Sequence, residues 1–304
     1  MNILIVGYGS IAKKHVEALK AIDSNCEFWA LRNSTSKSDD EVNNIYSYQD
    51  IPNNIDFAII SNPTNKHTET IKRLIPLKFP LFIEKPIAHN LNDIDKVSLL
   101  LAQNQIVTYV ACVLRFHPCL QYLKRYIEEA PRRINEVNVY CGSFLPDWRK
   151  NVDYKTVYRS KNEEGGGVHL DLFHEIDYSV WIFGKPNYTK VLLESKSSLE
   201  IDAYDYANYS MKYDDFELNI TLNYYRKTPK RKLEVLFENQ TWEIDLIKGQ
   251  IIEDDKAIIF DSDTQIKDLY KVQMEYFVEK IMNQESIDND LKTSSEILKI
   301  CLNE

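Results

Sequence analysis

The stretch "EEGGGVHLDLFHEID" (163–177) brings together three glycines, two histidines and two aspartates. Histidine titrates near neutral pH and suits proton transfer. Asp171 and His174 are three residues apart, and on a helix that spacing puts two side chains on one face. They are expected to point together, with Asp171 orienting the imidazole or holding a substrate hydroxyl. Gly165, Gly166 and Gly167 are expected to let the chain reach the helix N-terminus beside a bulky ligand. His169 lies off the shared face and is left out.

Glycine is scarce here, 8 in 304 residues, below the roughly 7% of an average chain. A second cluster, "ILIVGYGSIAKKH" (3–15), gives Gly7-x-Gly9-x-x-Ala12 between a strand-like run and a helical pattern. That is the context of a dinucleotide fingerprint. Gly7 permits the turn, Gly9 admits the pyrophosphate, and Ala12 allows close helix packing. Ser10 and Ile11 open the helix whose N-terminus faces the phosphates. An NAD fold places a carboxylate about 20 residues further on. Arg32 stands there instead, in "LRNSTSK", with no acid before Asp39. Arg32, Ser34 and Lys37 suit a 2′-phosphate. NADP(H) is therefore favoured, with NAD(H) still possible.

The elements around these residues follow from periodicity. Runs at 2–6, 26–31, 56–61, 80–84 and 106–112 read as strands, alternating with helical patterns. Such alternation argues for a parallel sheet with helices on both faces. After Pro118 come a helix (118–129), a strand (136–144), a polar and aromatic stretch, the glycine-rich motif and a helix. From 188 to 260, β-like runs separated by polar turns suggest one antiparallel sheet. One closing helix carries Leu269, Val272, Tyr276, Phe277 and Ile281.

Composition bounds the function. With 44% hydrophobic and 27% charged residues, the chain has enough apolar material for a core. A net charge of −9 disfavours nucleic acid and anionic membrane. No apolar run reaches the roughly 18 residues of a membrane span, and no signal peptide precedes Asn2. Five cysteines without a CxxC pair read as buried thiols in a reducing cytoplasm. In the stretch 144–161, Trp148, Tyr154 and Tyr158 suit sugar or base faces, while Arg149 and Arg159 suit phosphate or carboxylate; a docking loop between protein surfaces is the other reading. "RKTPKRK" (226–232) reads as a solvated hairpin turn.

Taken in order, these motifs resemble the Gfo/Idh/MocA family of NAD(P)-dependent oxidoreductases. "GYGSIAKKH" resembles its nucleotide loop, "SNPTNKH" (61–67) the loop after its fourth strand, and "EKP" (84–86) its most recognisable short motif. "LRFHP" (114–118) resembles the end of its nucleotide domain, and "GGGVHLDLFHEID" its catalytic helix. "RKTPKRKLEVLFENQTWEIDL" resembles its arginine-bearing hairpin. The resemblance implies an α/β chain: an N-terminal Rossmann parallel sheet (1–118), then an α/β domain (119–304) with an open, mainly antiparallel sheet that mediates homo-oligomer contacts. It implies Asn62, Pro63, His67, Glu84 and Lys85 at the cofactor and Arg115 at the substrate, alongside Trp148, Arg149, Tyr154 and Tyr158. It implies hydride transfer on a sugar, inositol or nucleotide sugar, with Lys85, Asp171 and His174 as the catalytic set. The family commonly spaces its acid and histidine four apart. The three-residue spacing here, as in the D-x-x-H-x-x-D form, leaves the two roles open.

On this reading Lys85 adds positive charge where an alkoxide develops. Pro86 biases Lys85 to extended backbone, aiming it from a strand end. His169, Asp171, His174 and Asp177 also suit a metal, but hydride transfer to a nicotinamide needs none, so none is expected. Two rivals are a cofactor-retaining lyase or epimerase and a non-enzymatic dinucleotide-binding redox sensor.

Overall fold

A computed structural model describes residues 1–32 and 41–304. In chain order the elements are β1 (Asn2–Val6), α1 (Ser10–Ile22), β2 (Glu27–Leu31), β3 (Asn43–Ile45), β4 (Phe57–Ile60), α2 (His67–Leu74), β5 (Leu81–Glu84), α3 (Ile94–Gln103) and β6 (Thr108–Ala111). Then come α4 (Pro118–Glu129), β7 (Ile134–Phe144), α5 (Val168–Asp171), α6 (Phe173–Phe183), β8 (Tyr188–Glu194), β9 (Tyr206–Lys212) and β10 (Glu217–Asn223). The chain closes with β11 (Tyr225–Phe237), β12 (Thr241–Asp245), β13 (Gln250–Glu253), β14 (Ala257–Asp261), α7 (Leu269–Met282) and α8 (Leu291–Leu302).

The chain divides into two compact units, 1–113 with 267–298, and 114–266 with 299–304. In the first, six parallel strands run in the order β3-β2-β1-β4-β5-β6. β1 is central, so Ile3, Leu4 and Ile5 are fully buried. That is why the strand reads as a continuous apolar run. α7 belongs to this unit, so a single cut after 118 does not describe the division. The reason is aromatic packing: the Phe277 ring lies 5.2 Å from Phe57, 5.3 Å from Phe82 and 5.8 Å from Tyr109. Gln273 also donates to the Tyr109 hydroxyl at 3.0 Å. The sequence reading had one closing helix, but α8 follows α7. Its start is tied to β6 by Leu291 N–H donating to Thr108 Oγ1 at 3.0 Å.

The second unit holds an eight-stranded sheet in the order β14-β13-β12-β11-β7-β10-β9-β8. All its pairings are antiparallel except β10 with β7. This is the open, mainly antiparallel sheet expected from the sequence. The parallel pair arises because the chain leaves β7 through the 145–164 segment and two helices before it returns, and only such a crossover can lay two strands parallel. Along β10, Leu218, Ile220 and Leu222 are fully buried. Their alternation points one face inward, and Tyr224, next after β10, is buried as well.

Candidate active site

Gly7 has φ +87°, and a β-carbon there would lie 2.5 Å from Asn62 Cα. Backbone conformation and close approach both require glycine. Gly9 differs, because nothing lies within 4 Å of the position a β-carbon would take. It is the N-cap of α1, which has no side-chain cap. The amides of a helix start seek an acceptor, and an open glycine beside them leaves room for a phosphate. Asn62 spends its amide nitrogen on Thr70 Oγ1 at 2.8 Å, while its buried Oδ1 has no hydrogen-bond partner. These features fit a dinucleotide.

The motifs of this unit are tied together from within. His15, buried on α1, meets Glu84 Oε1 through Nε2 at 2.6 Å. His67 places Nε2 2.9 Å from the Asn62 carbonyl and Nδ1 3.1 Å from the Pro86 carbonyl. Burial lowers the His67 pKa. A neutral ring donates from one nitrogen only, so one carbonyl receives its N–H. Glu84 and His67, both read as cofactor ligands, thus hold the loops of 61–67 and 84–86 in place. Lys85 follows β5, and its peptide bond to Pro86 is cis. At the end of β2, Arg32 donates to Asn44 Oδ1 at 3.0 Å. Lys13 and Arg32 both lie over the Tyr8 ring, 5.5 and 5.9 Å from its centre. Ser34 and Lys37 lie outside the described residues.

In the second unit the carboxylate of Asp171 gathers residues from four segments. Arg159 Nε lies 3.0 Å from Asp171 Oδ2, and the Tyr224 hydroxyl donates to the same oxygen at 2.6 Å. Burial and Asp171 raise the Tyr224 pKa well above its ordinary value, and partial burial with Asp171 pushes the Tyr158 phenol up to about 12. Both phenols therefore stay protonated. Burial opposes the charge on Arg159, but Asp171 more than offsets this and raises its pKa. Trp148 meets Tyr224 edge to face at 5.5 Å and donates from Nε1 to Ser143 at 3.0 Å. Arg159 lies over both Trp148 and Tyr158, 5.6 and 4.6 Å from the ring centres.

Several expectations change here. Asp171 and His174 do not share one continuous helix. Asp171 ends α5, Leu172 breaks the spiral at φ −97°, ψ +31°, and half-buried His174 stands in the first turn of α6. The rule of faces therefore does not apply across the break. Gly166 is needed for close packing within the protein: a β-carbon there would stand 2.3 Å from the Tyr158 carbonyl oxygen and 2.6 Å from that of Arg159. Arg115, read as a substrate ligand, is committed to Asp177 through two hydrogen bonds of 2.8 and 2.7 Å, both side chains buried. Tyr154 donates its hydroxyl to the Leu199 carbonyl at 3.2 Å and anchors the loop. Arg149 is exposed.

Sequence reading missed Tyr224, the Glu84 partner His15, and Glu175. Glu175 is buried and meets Arg231 at 2.7 Å. The signal for Tyr224 was present: it continues the inward alternation of Leu218, Ile220 and Leu222, a phenol ending an apolar stripe. Glu175 and Arg231 lie 56 positions apart in sequence, and nothing local pairs them.

Residues 1–112 match the family described as "Oxidoreductase family, NAD-binding Rossmann fold" (GFO_IDH_MocA). Residues 130–286 match its "C-terminal alpha/beta domain". The chain belongs to the Gfo/Idh/MocA oxidoreductase family. It is similar to a myo-inositol 2-dehydrogenase of Thermotoga maritima, 26% identical over 61% of this chain and 55% of that protein. The chain thus spans about half the length of that curated relative. Among solved structures, levoglucosan dehydrogenase in complex with NADH has TM-score 0.87 at 14% identity, covering 99% of this chain and 95% of the other. UDP-N-acetylglucosamine 3-dehydrogenase from Acidithiobacillus ferrooxidans has TM-score 0.79 at 15% identity, covering 100% and 96%. At such identities the likeness is one of fold. Among the described residues, no helix is long and apolar enough to cross a membrane.

Proposed function

We propose that this Gfo/Idh/MocA protein is an NADP(H)-preferring oxidoreductase whose substrate is a sugar or nucleotide sugar. A bound nicotinamide would accept or donate a hydride at a carbinol carbon. Lys85 presents a positive charge to the oxygen of that carbon as it becomes an alkoxide. His174 takes the hydroxyl proton in oxidation and returns it in reduction. Asp171, held by Arg159 and Tyr224, accepts a hydrogen bond from a substrate hydroxyl. Gly7, Gly9, Ser10, Ile11, Asn62 and Pro63 form the cofactor cradle. Arg32, with Lys13 beside Tyr8, favours the 2′-phosphate. The enzyme acts in the cytoplasm as a homo-oligomer joined through its second sheet.

The observation that carries this reading is the Asp171 cluster. An acceptor carboxylate fixed beside the Trp148 and Tyr158 rings is the chemistry that grips a polyhydroxylated ring, hydroxyls to the acid and C–H face to the aromatics. The relatives are named for myo-inositol, levoglucosan and UDP-N-acetylglucosamine, all polyhydroxylated. The test is oxidation of a panel of polyols, hexoses and UDP-sugars, followed by nicotinamide absorbance with NADP and NAD in parallel. Turnover of at least one sugar, faster with NADP, is expected. A protein that binds the cofactor and turns over none of them is a dinucleotide-binding module instead.

A further inference from the structure

Arg159 has more hydrogen-bonding capacity than the protein uses. Its buried Nε lies 3.0 Å from Asp171 Oδ2 as an ion pair but has no hydrogen-bond partner among the described residues, and Trp148 and Tyr158 lie against the guanidinium. Among the described residues, no hydrogen bond or ion pair ties its terminal amino groups to any side chain but Asp171. The side chain is 22% exposed, so solvent reaches the group. Its backbone is held firmly, with Gly167 N–H donating to the Arg159 carbonyl at 3.1 Å and Gly166 closing against the same segment. Charge points the same way. Around Tyr158 stand two guanidiniums, Arg159 and Arg149, against the one carboxylate of Asp171. Arg149 has no ion-pair partner among the described residues. Further along the loop the balance is even: an open hollow of about 580 Å³ is lined by Arg149 and Lys150 and also by Asp147 and Asp153. Arg159 itself is balanced by Asp171, and the exposed Arg149 is the additional cation beside Tyr158.

We infer that the terminal amino groups of Arg159 form a carboxylate-recognising site, and that the sugar bound beside Asp171 is an acidic one of the uronate class. This rests on the sugar-oxidoreductase reading and specifies its substrate. A guanidinium edge offers two parallel N–H groups, which match the two oxygens of a planar carboxylate. A singly charged carboxylate also suits a place next to Asp171 better than a phosphate dianion, which Asp171 would repel more strongly. The rigid backbone and the flanking rings fix the fork before ligand arrives, which reduces the ordering cost of binding.

The test measures dissociation constants of the full chain for D-glucuronate, D-glucose and D-glucose 6-phosphate by calorimetry, with and without NADPH. Glucuronate is expected to bind about tenfold or more tighter than glucose, the scale of a charge-assisted hydrogen bond. Arg159→Gln should bring the two within about twofold of each other. Arg159→Lys keeps the charge but loses the fork, so it should also lose most of the preference. If Arg159→Gln fails to fold, the wild-type comparison and Arg149→Gln, which should weaken glucuronate alone, still decide. Equal binding of glucuronate and glucose, no binding of glucuronate, tighter binding of the phosphate, or a preference that survives in Arg159→Gln would each overturn the inference. Binding is read without turnover. Hydride transfer can therefore fail while the preference stands, and the preference can fail while neutral polyols still reduce the cofactor.

Discussion

Gly166 and Arg159 are packed backbone to backbone: a β-carbon on Gly166 would stand 2.6 Å from the Arg159 carbonyl oxygen, and closer still to that of Tyr158. The glycine run therefore delivers the aromatic and cationic loop to Asp171. Gly166→Ala must push that segment away. Overpacking of this kind costs about 1–3 kcal/mol, and the shift should also displace Arg159 from Asp171. The expected outcome is a lower urea midpoint together with a reduced kcat/KM. An alanine variant with wild-type values of both would show that the close approach carries no function.

Arg115 gives a contrasting case. Its two hydrogen bonds to Asp177 are buried, and removing one partner of a buried ion pair leaves a charge that water cannot reach. Such losses run to about 3–5 kcal/mol. Arg115→Ala should thus lower stability in chemical denaturation by that order, with any folded fraction binding substrate as before. A stable Arg115→Ala protein with a selectively raised substrate KM would return Arg115 to the substrate site.

Acid should destabilise the fold through its buried histidines. Burial lowers His117 and His169 from 6.5 to about 4, and His67 is lowered as well. These groups stay neutral in the native state and take up protons on unfolding. The contribution of His117 and His169 is fully present above the unfolded value of 6.5 and is lost as pH falls toward 4. Each steepens the loss by about 1.4 kcal/mol per pH unit within that window. Unfolding free energies measured across the window should fall with decreasing pH, and His169→Gln should flatten the slope. A pH-independent stability there would contradict the assignment.

Cofactor choice rests on Arg32, which donates to Asn44 and lies over Tyr8 at the end of β2. Fluorescence titration should find NADPH bound more tightly than NADH, and Arg32→Asp should reverse the order. Equal affinities in the wild type would remove Arg32 from that role.

Much of this was legible in the sequence where the signal is local. The strand at 2–6, the glycine turn behind it and the helix at 118–129 follow from periodicity and from glycine's freedom. The order of short motifs was enough to identify the family. What periodicity could not supply was long-range pairing: His15 with Glu84, Arg115 with Asp177, Glu175 with Arg231. Each joins residues more than 50 positions apart, and each turns a residue that looks chemical into one that holds the frame. The break at Leu172 was hidden for another reason. Leucine is a good helix former, and only the packing of the chain interrupts the spiral there.

The measurement that bears most directly on the account is the turnover of His174→Ala on a sugar the wild type oxidises. General acid–base catalysis contributes about 10²–10⁴-fold, so kcat should fall by roughly that factor with cofactor affinity unchanged. Lys85→Ala should lower kcat as well. Combining the two should cost less than the sum of their separate effects, because both act on one transition state. A His174→Ala enzyme with near-normal kcat would contradict the account and pass the proton to Lys85 or Asp171.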